Sequence, residues 1–190
     1  MKTISEILKM KAAVLYLIEG CGGSLDYVKL NKLLYFAQQL HLVRYGRGIV
    51  NDTFLARDLG PVPSFIFKAL KDNEDKITSD RNINDFNKGI EIIPGKPQII
   101  KSSEKPDLDE FSVSDVKCLD DTLNQYKNLS SKELTEISHN DKAWIDANNS
   151  RKEDPEKDRI SQLDMAKSGG ASDDMLSYIL YEMKLDRQLS

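Results

Sequence analysis

Val28-Lys29-Leu30-Asn31-Lys32-Leu33-Leu34-Tyr35-Phe36-Ala37-Gln38-Gln39-Leu40-His41 is the stretch on which the reading of this chain turns. Leu30, Leu33, Leu34, Ala37 and Leu40 recur at the spacing that lines one helical face, and Tyr35, Phe36 and Val43 widen the apolar surface beyond a single stripe. Such a helix needs neighbours on more than one side, so the stretch is read as a central, mostly buried helix. Lys29 and Lys32 are assigned to its wet face. Arg44 falls near its end, where a cation suits the exposed carbonyls and the negative end of the dipole.

Upstream, Thr3 followed by Glu6 has the form of a capping box, and Ile7, Met10, Val14, Leu17 and Ile18 then repeat at helical spacing. Gly20, Gly22 and Gly23 end this first helix, because glycine supplies the positive φ that a helix C-terminus commonly needs. Ser24 or Asp26 caps the central helix, and Gly46 stops it. So short a connection predicts that the two helices lie side by side.

Downstream, Ile49, Val50, Thr53, Phe54 and Leu55 carry the β-branched and aromatic bias of an extended segment. Gly60-Pro61-Val62-Pro63 then makes a rigid bend, from which a helix through Phe65, Ile66, Ala69 and Leu70 is expected to begin. Asp72 to Asn84 reads as a polar loop. The segments 89–93 and 97–101 flank Pro94-Gly95-Lys96 as a small hairpin. Val116, Leu119, Leu123 and Tyr126 mark a long helix after Ser112. Ser130 with Glu133 forms a further capping box, and Asp141 caps a short helix carrying Trp144. Residues 148–174 read as an exposed, partly mobile connection, and Met175, Leu176, Ile179, Leu180 and Met183 as a last helix that docks on the body. The expected fold class is α+β: a predominantly helical single domain with a small antiparallel β element. Residues 1–150 form the domain, and 151–190 the polar connection and C-terminal helix.

Composition narrows the function. The 190 residues are 39% apolar, enough for a core, but no run of about twenty apolar residues offers a membrane span. With no signal-like N-terminus either, a cytoplasmic protein is expected. The net charge of −4 conceals an asymmetry. Residues 1–71 hold ten Lys/Arg against five Asp/Glu, and residues 72–190 hold seventeen against twenty-six, giving +5 and −9. The basic excess lacks the dense runs and interleaved aromatics of a nucleic-acid groove.

No catalytic pattern emerges. Two histidines, His41 and His139, cannot make a three-histidine metal centre, and Cys21 and Cys118 suit neither a zinc site nor a disulfide framework. Gly20-Cys21-Gly22-Gly23 follows a helix and lacks a Gly-Lys-Ser/Thr ending, so it is a turn rather than a phosphate loop. Cys118 lies in a helical stripe, where it packs as a small hydrophobe. No catalytic residue, metal or cofactor is therefore expected. Ser138-His139, Asp141 and Trp144 form the one cluster open to a sharper reading. The plainer alternative has His139 bonding to a carbonyl or carboxylate while Trp144 plugs the core.

Three separated elements together resemble one known family: Lys29 to Ala37, the turn Gly60-Pro61-Val62, and Leu134 through Ser138-His139 to Trp144. In order and spacing, over about residues 5 to 150, they are similar to the Panacea domain, the SocA-like antitoxins also described as phage-associated GepA-like proteins. Arg57 stands where members often carry tryptophan, and Asn31 where glutamine is common. The resemblance implies a non-enzymatic antitoxin that neutralises a cognate protein toxin by direct contact. Within the family it also implies an adaptor role, delivering toxin to a ClpXP-type protease. A DNA-binding transcriptional regulator of phage or mobile-element origin is the alternative, although so apolar a central helix offers no polar face for the major groove. Lys29, Lys32 and Arg57 flank the motif and are the candidate partner contacts. Leu30, Leu33, Leu34, Tyr35, Phe36, Gly60, Pro61, Val62, Ser138, His139 and Trp144 are motif residues expected to hold that surface in shape.

Overall fold

The computed structural model describes residues 2–75 and 80–189. Helix α1 (Ile4–Gly20) starts at a complete capping box between Thr3 and Glu6. A short strand β1 (Ser24–Asp26) leads into α2 (Tyr27–Tyr45), where the Asp26 carboxylate accepts the Lys29 N–H and Gly46, at φ 69°, closes the C-terminus. Twelve of the residues of α2 are buried, Leu30 through Gln38 among them without a break. The central helix is packed against α1, α5, α6, α8 and the strand after Leu59.

Strands β2 (Phe54–Arg57) and β3 (Gly60–Pro63) form a hairpin with Arg57 opposite Gly60. Gly60-Pro61-Val62 is thus strand, not the start of a helix as expected. The prolines are tolerated because β3 is an edge strand of the order β3-β2-β6, where a missing N–H costs no ladder bond on the open side. Helix α3 (Ser64–Glu74) begins only after Pro63, which supplies no side-chain cap. Asp52 replaces it from twelve residues upstream of Ser64: its oxygens accept the N–H groups of Phe65 at 3.0 Å and Ile66 at 3.1 Å.

Part of the expected loop from Asp72 to Asn84 is helical. Helix α3 continues to Glu74, and α4 (Arg81–Asn87) is capped by Asp80 and anchored by buried Ile83 and Phe86; residues 76–79 of that stretch lie outside the described residues. The hairpin follows as read, with β4 (Ile90–Ile93) antiparallel to β5 (Ile99–Ser102), and β1 adds to the far edge of β5. A 3-10 turn at Leu108–Glu110 precedes α5 (Val113–Tyr126), α6 (Ser131–His139) and α7 (Lys142–Glu153), which start at Ser112, Ser130 and Asp141.

Residues 148–174 are more ordered than their polarity suggested. Helix α7 runs on to Glu153, β6 (Arg159–Ile160) pairs with β2, and α8 (Gln162–Ser168) buries Met165 and Ala166. Two or three apolar anchors suffice to seat such short elements against a core already built. Helix α9 (Asp173–Leu189) buries Ile179, while Leu180 faces solvent. Among the described residues helices predominate, beside two three-stranded antiparallel sheets, an α+β fold dominated by helices.

Candidate functional site

The three motif segments meet on one side of α2. Gly60 has φ 103°, and a Cβ built there would strike Lys32 Nζ and lie 2.6 Å from Ser138 Oγ. Residues 28 apart on one side and 78 apart on the other are thus brought to the same point. Trp144 closes the site from α7: its indole Nε1 donates to the Arg57 carbonyl at 3.2 Å, and its ring stacks on His139 with centroids 4.1 Å apart and planes 9° from parallel. Asp141 ties α7 to α2, accepting from Tyr35 at 3.0 Å and Gln39 at 2.6 Å while capping the Ala143 N–H. Tyr35 is fully buried, and burial with the adjoining Asp141 raises its phenol well above the ordinary range.

Lys32 corrects the sequence reading. It is 1% exposed, not on a wet face, and its ammonium donates to the Leu59 carbonyl. Its helical neighbours at i−4, i+3 and i+4 are Val28, Tyr35 and Phe36, so the position was enclosed by apolar side chains, and that was the available signal. No described carboxylate lies within ion-pairing distance, and desolvation alone pushes the amine down to about 7. His139 is lowered by burial first and by the nearby Lys32 second; its Nε2 is buried without a partner among the described residues.

The other two candidate contacts are surface groups with local duties. Lys29, half-buried, donates to the carbonyls of Lys127 at 2.6 Å and Leu129 at 2.8 Å, where it neutralises the C-terminal end of α5. Arg57 is half-exposed and pairs with Asp158 at 2.5 Å. Leu30, Leu33, Leu34 and Phe36 are in the core, as are Pro61 and Val62 within β3.

Between α2, the β2–β3 hairpin and α3 lies a chamber of about 280 Å³, walled by Tyr27, Val28, Asn31, Lys32, Leu59, Val62 and Phe67, with Arg57 and Asp58 also lining it. Asn31 is 4% exposed, and its Oδ1 has no hydrogen-bond partner among the described residues. The chamber shares Tyr27, Val28, Leu59 and Phe67 with an outer cleft of about 450 Å³ that reaches the β4–β5 loop at Gly95–Gln98. Leu59, 58% exposed, stands over both. A separate cleft of about 420 Å³ between α1, residues 46–51 and α9 is lined by Glu6, Lys9, Arg47 and Glu182, away from the motifs.

A second polar cluster was not foreseen. His41 and Asp115 are both fully buried, with Nε2 3.1 Å from Oδ1, and Lys9 Nζ reaches the other Asp115 oxygen at 2.7 Å. His41 Nδ1 donates to the Arg47 carbonyl at 2.6 Å. Burial alone would raise the Asp115 carboxyl, but hydrogen bonds from His41, Lys9 and the Ser112 N–H outweigh it and hold the group well below the usual carboxylate range. This cluster joins α1, α2 and α5 at a distance from the chamber's lining residues.

Among the described residues no group of three or more His, Cys, Asp or Glu is placed to hold a metal ion, and no helix is long and apolar enough to cross a membrane. No curated protein and no solved structure matches the chain. The family model described as antitoxin SocA-like, Panacea domain matches residues 30–145, which run from the first leucine of the buried stretch to the residue after Trp144. Apart from Lys29, the three segments that converge on Lys32 fall inside that span, and by a match over more than half of its length the chain belongs to the SocA-like antitoxin, Panacea-domain family.

Proposed function

We propose that this protein is an antitoxin that neutralises a separately encoded protein toxin by direct binding and has no enzymatic activity of its own. Membership of the SocA-like family carries the reading. The contact surface proposed is the α2–hairpin side, where Leu59 is exposed and Arg57 half-exposed beside the chamber. Lys32 leaves the set of exposed contacts, and Lys29 joins it only through the edge of its half-buried stem.

Burial weighs against the regulator alternative. A recognition helix must present several polar side chains to base edges, whereas α2 is enclosed over most of its circumference.

The test is co-expression with the product of the adjacent gene, followed by pull-down. Growth arrest by the neighbour alone, rescue by this protein and a recovered complex are expected together. A harmless neighbour, or rescue with neither complex nor loss of toxin protein, refutes neutralisation by contact. Rescue through protease-dependent loss of the toxin would assign the adaptor route instead.

A further inference from the structure

We infer that the chamber beneath Leu59 receives the C-terminal residue of a protein partner, its carboxylate on Lys32, its amide N–H on Asn31 Oδ1 and its apolar side chain among Tyr27, Val28 and Phe67. This rests on the reading of the protein as a partner-binding antitoxin and specifies what that partner presents.

Four observations carry it. Lys32, which lines the chamber and donates to the Leu59 carbonyl, has no carboxylate partner among the described residues, although an unpaired buried charge is among the costliest groups in a protein interior. Asn31 Oδ1 has no donor among the described residues, so a ligand suited to both side chains would accept one hydrogen bond and donate another. Tyr27, Val28, Leu59, Val62 and Phe67 make most of the remaining wall apolar and aromatic, with Arg57 and Asp58 the charged residues that also line it. Its volume of about 280 Å³ lies just under the roughly 300–1,000 Å³ typical of small-molecule sites, the scale of one amino-acid residue. An aspartate or glutamate side chain would satisfy Lys32 but leave the apolar wall and Asn31 uncovered. A hydrophobic residue at a chain end carries a carboxylate, an N–H and an apolar side chain on one carbon, as captured C-termini do elsewhere. The outer cleft of about 450 Å³, continuous through Tyr27, Val28, Leu59 and Phe67, gives the preceding residues a path to the surface. A free acid would have no use for that path, which favours the chain end.

Isothermal titration of the full chain just below neutral pH tests this. The probes are acetyl-Ser-Ala-Leu with a free carboxylate, the same peptide as its carboxamide, and isovalerate. The free acid is expected to bind about ten- to a hundredfold more tightly than the carboxamide, the scale of one hydrogen bond to a charged group. Isovalerate should bind more weakly than the peptide acid. Lys32→Met should bring the acid down to the carboxamide's affinity. Val28→Trp, at the half-buried rim, should block both peptides with Lys32 in place, so the result stands even where the Lys32 variant does not fold. Equal affinity of acid and carboxamide, no heat from the acid at millimolar concentration, or undiminished binding by either variant overturns the inference. Isovalerate binding as tightly as the peptide acid would replace the chain end by a free small carboxylate. The co-expression pull-down separates the two levels: a complex that forms despite failed titrations leaves the antitoxin standing without this site, and peptide binding without a complex leaves the site standing without the toxin.

Discussion

Gly60 leaves open the space that the Lys32 ammonium occupies. A methyl group on residue 60 would fall on Nζ, and the residue holds φ 103°, a conformation that L side chains rarely adopt. Gly60→Ala is therefore expected to combine backbone strain of about 1–3 kcal/mol with displacement of a buried amine. A lowered denaturation midpoint, together with altered Trp144 fluorescence, checks it, because Trp144 bonds to the neighbouring hairpin carbonyl of Arg57.

Stability should rise with pH from about 7 toward 9. The Lys32 amine titrates near 7 in the folded chain and at its ordinary 10.5 when unfolded. Between those values the unfolded state binds more protons, so ΔG of unfolding climbs with pH, by a few kcal/mol over the full interval. Burial raises the Cys118 thiol and the Tyr27 and Tyr35 phenols, which remain protonated in the fold while their unfolded counterparts ionise; that opposes the trend above about pH 9. Urea midpoints across this range are the measurement, and Lys32→Met should flatten the rise.

Asp115→Asn should destabilise by about 3–5 kcal/mol, the usual cost of breaking a buried pair from one side. Lys9 and His41 would lose their common acceptor, and α1, α2 and α5 their shared tie. Because the Asp115 carboxyl is depressed in the fold, its contribution is complete above the unfolded value of 3.8 and is lost as pH falls further. Acid unfolding of the Asn variant should accordingly be shallower than that of the wild type.

Leu34→Ala should cost about 2–5 kcal/mol as a large-to-small change in the core. Leu34 is 3% exposed on the helix that every motif segment contacts. A midpoint unchanged by that substitution would contradict the placement of α2 at the centre.

Arg57→Glu separates binding from folding. Its side chain is half-exposed and its pair with Asp158 is a partly solvated one, worth at most about 1 kcal/mol. Thermal unfolding should shift little, whereas association with the toxin should slow, with a salt dependence that the wild type shows more strongly. Lys29→Glu is expected to differ by losing stability as well, since it would place a carboxylate against the carbonyls of Lys127 and Leu129.

What could be read in the sequence was local: the caps at Thr3, Ser130 and Asp141, the choice between Ser24 and Asp26 that falls to Asp26, the helix that follows Ser112, the stop at Gly46, the β4–β5 hairpin and the central helix itself. Capping, turn formation and hydrophobic period depend on residues a few positions apart, so the chain states them directly. The α4 helix and the elements between Asn148 and Ser168 were hidden because a short polar segment is folded by the core it meets, through anchors as few as Ile83 and Phe86 or Met165 and Ala166. The site was half legible. Its motif residues stood out, but that Gly60, Lys32 and Ser138 converge, that Asp52 caps a helix twelve residues on, and that Lys32 lies inside and not outside, were settled by tertiary packing. Lysine's ordinary preference for water is a statistical one, and here the strand crossing α2 removed the solvent that would have honoured it.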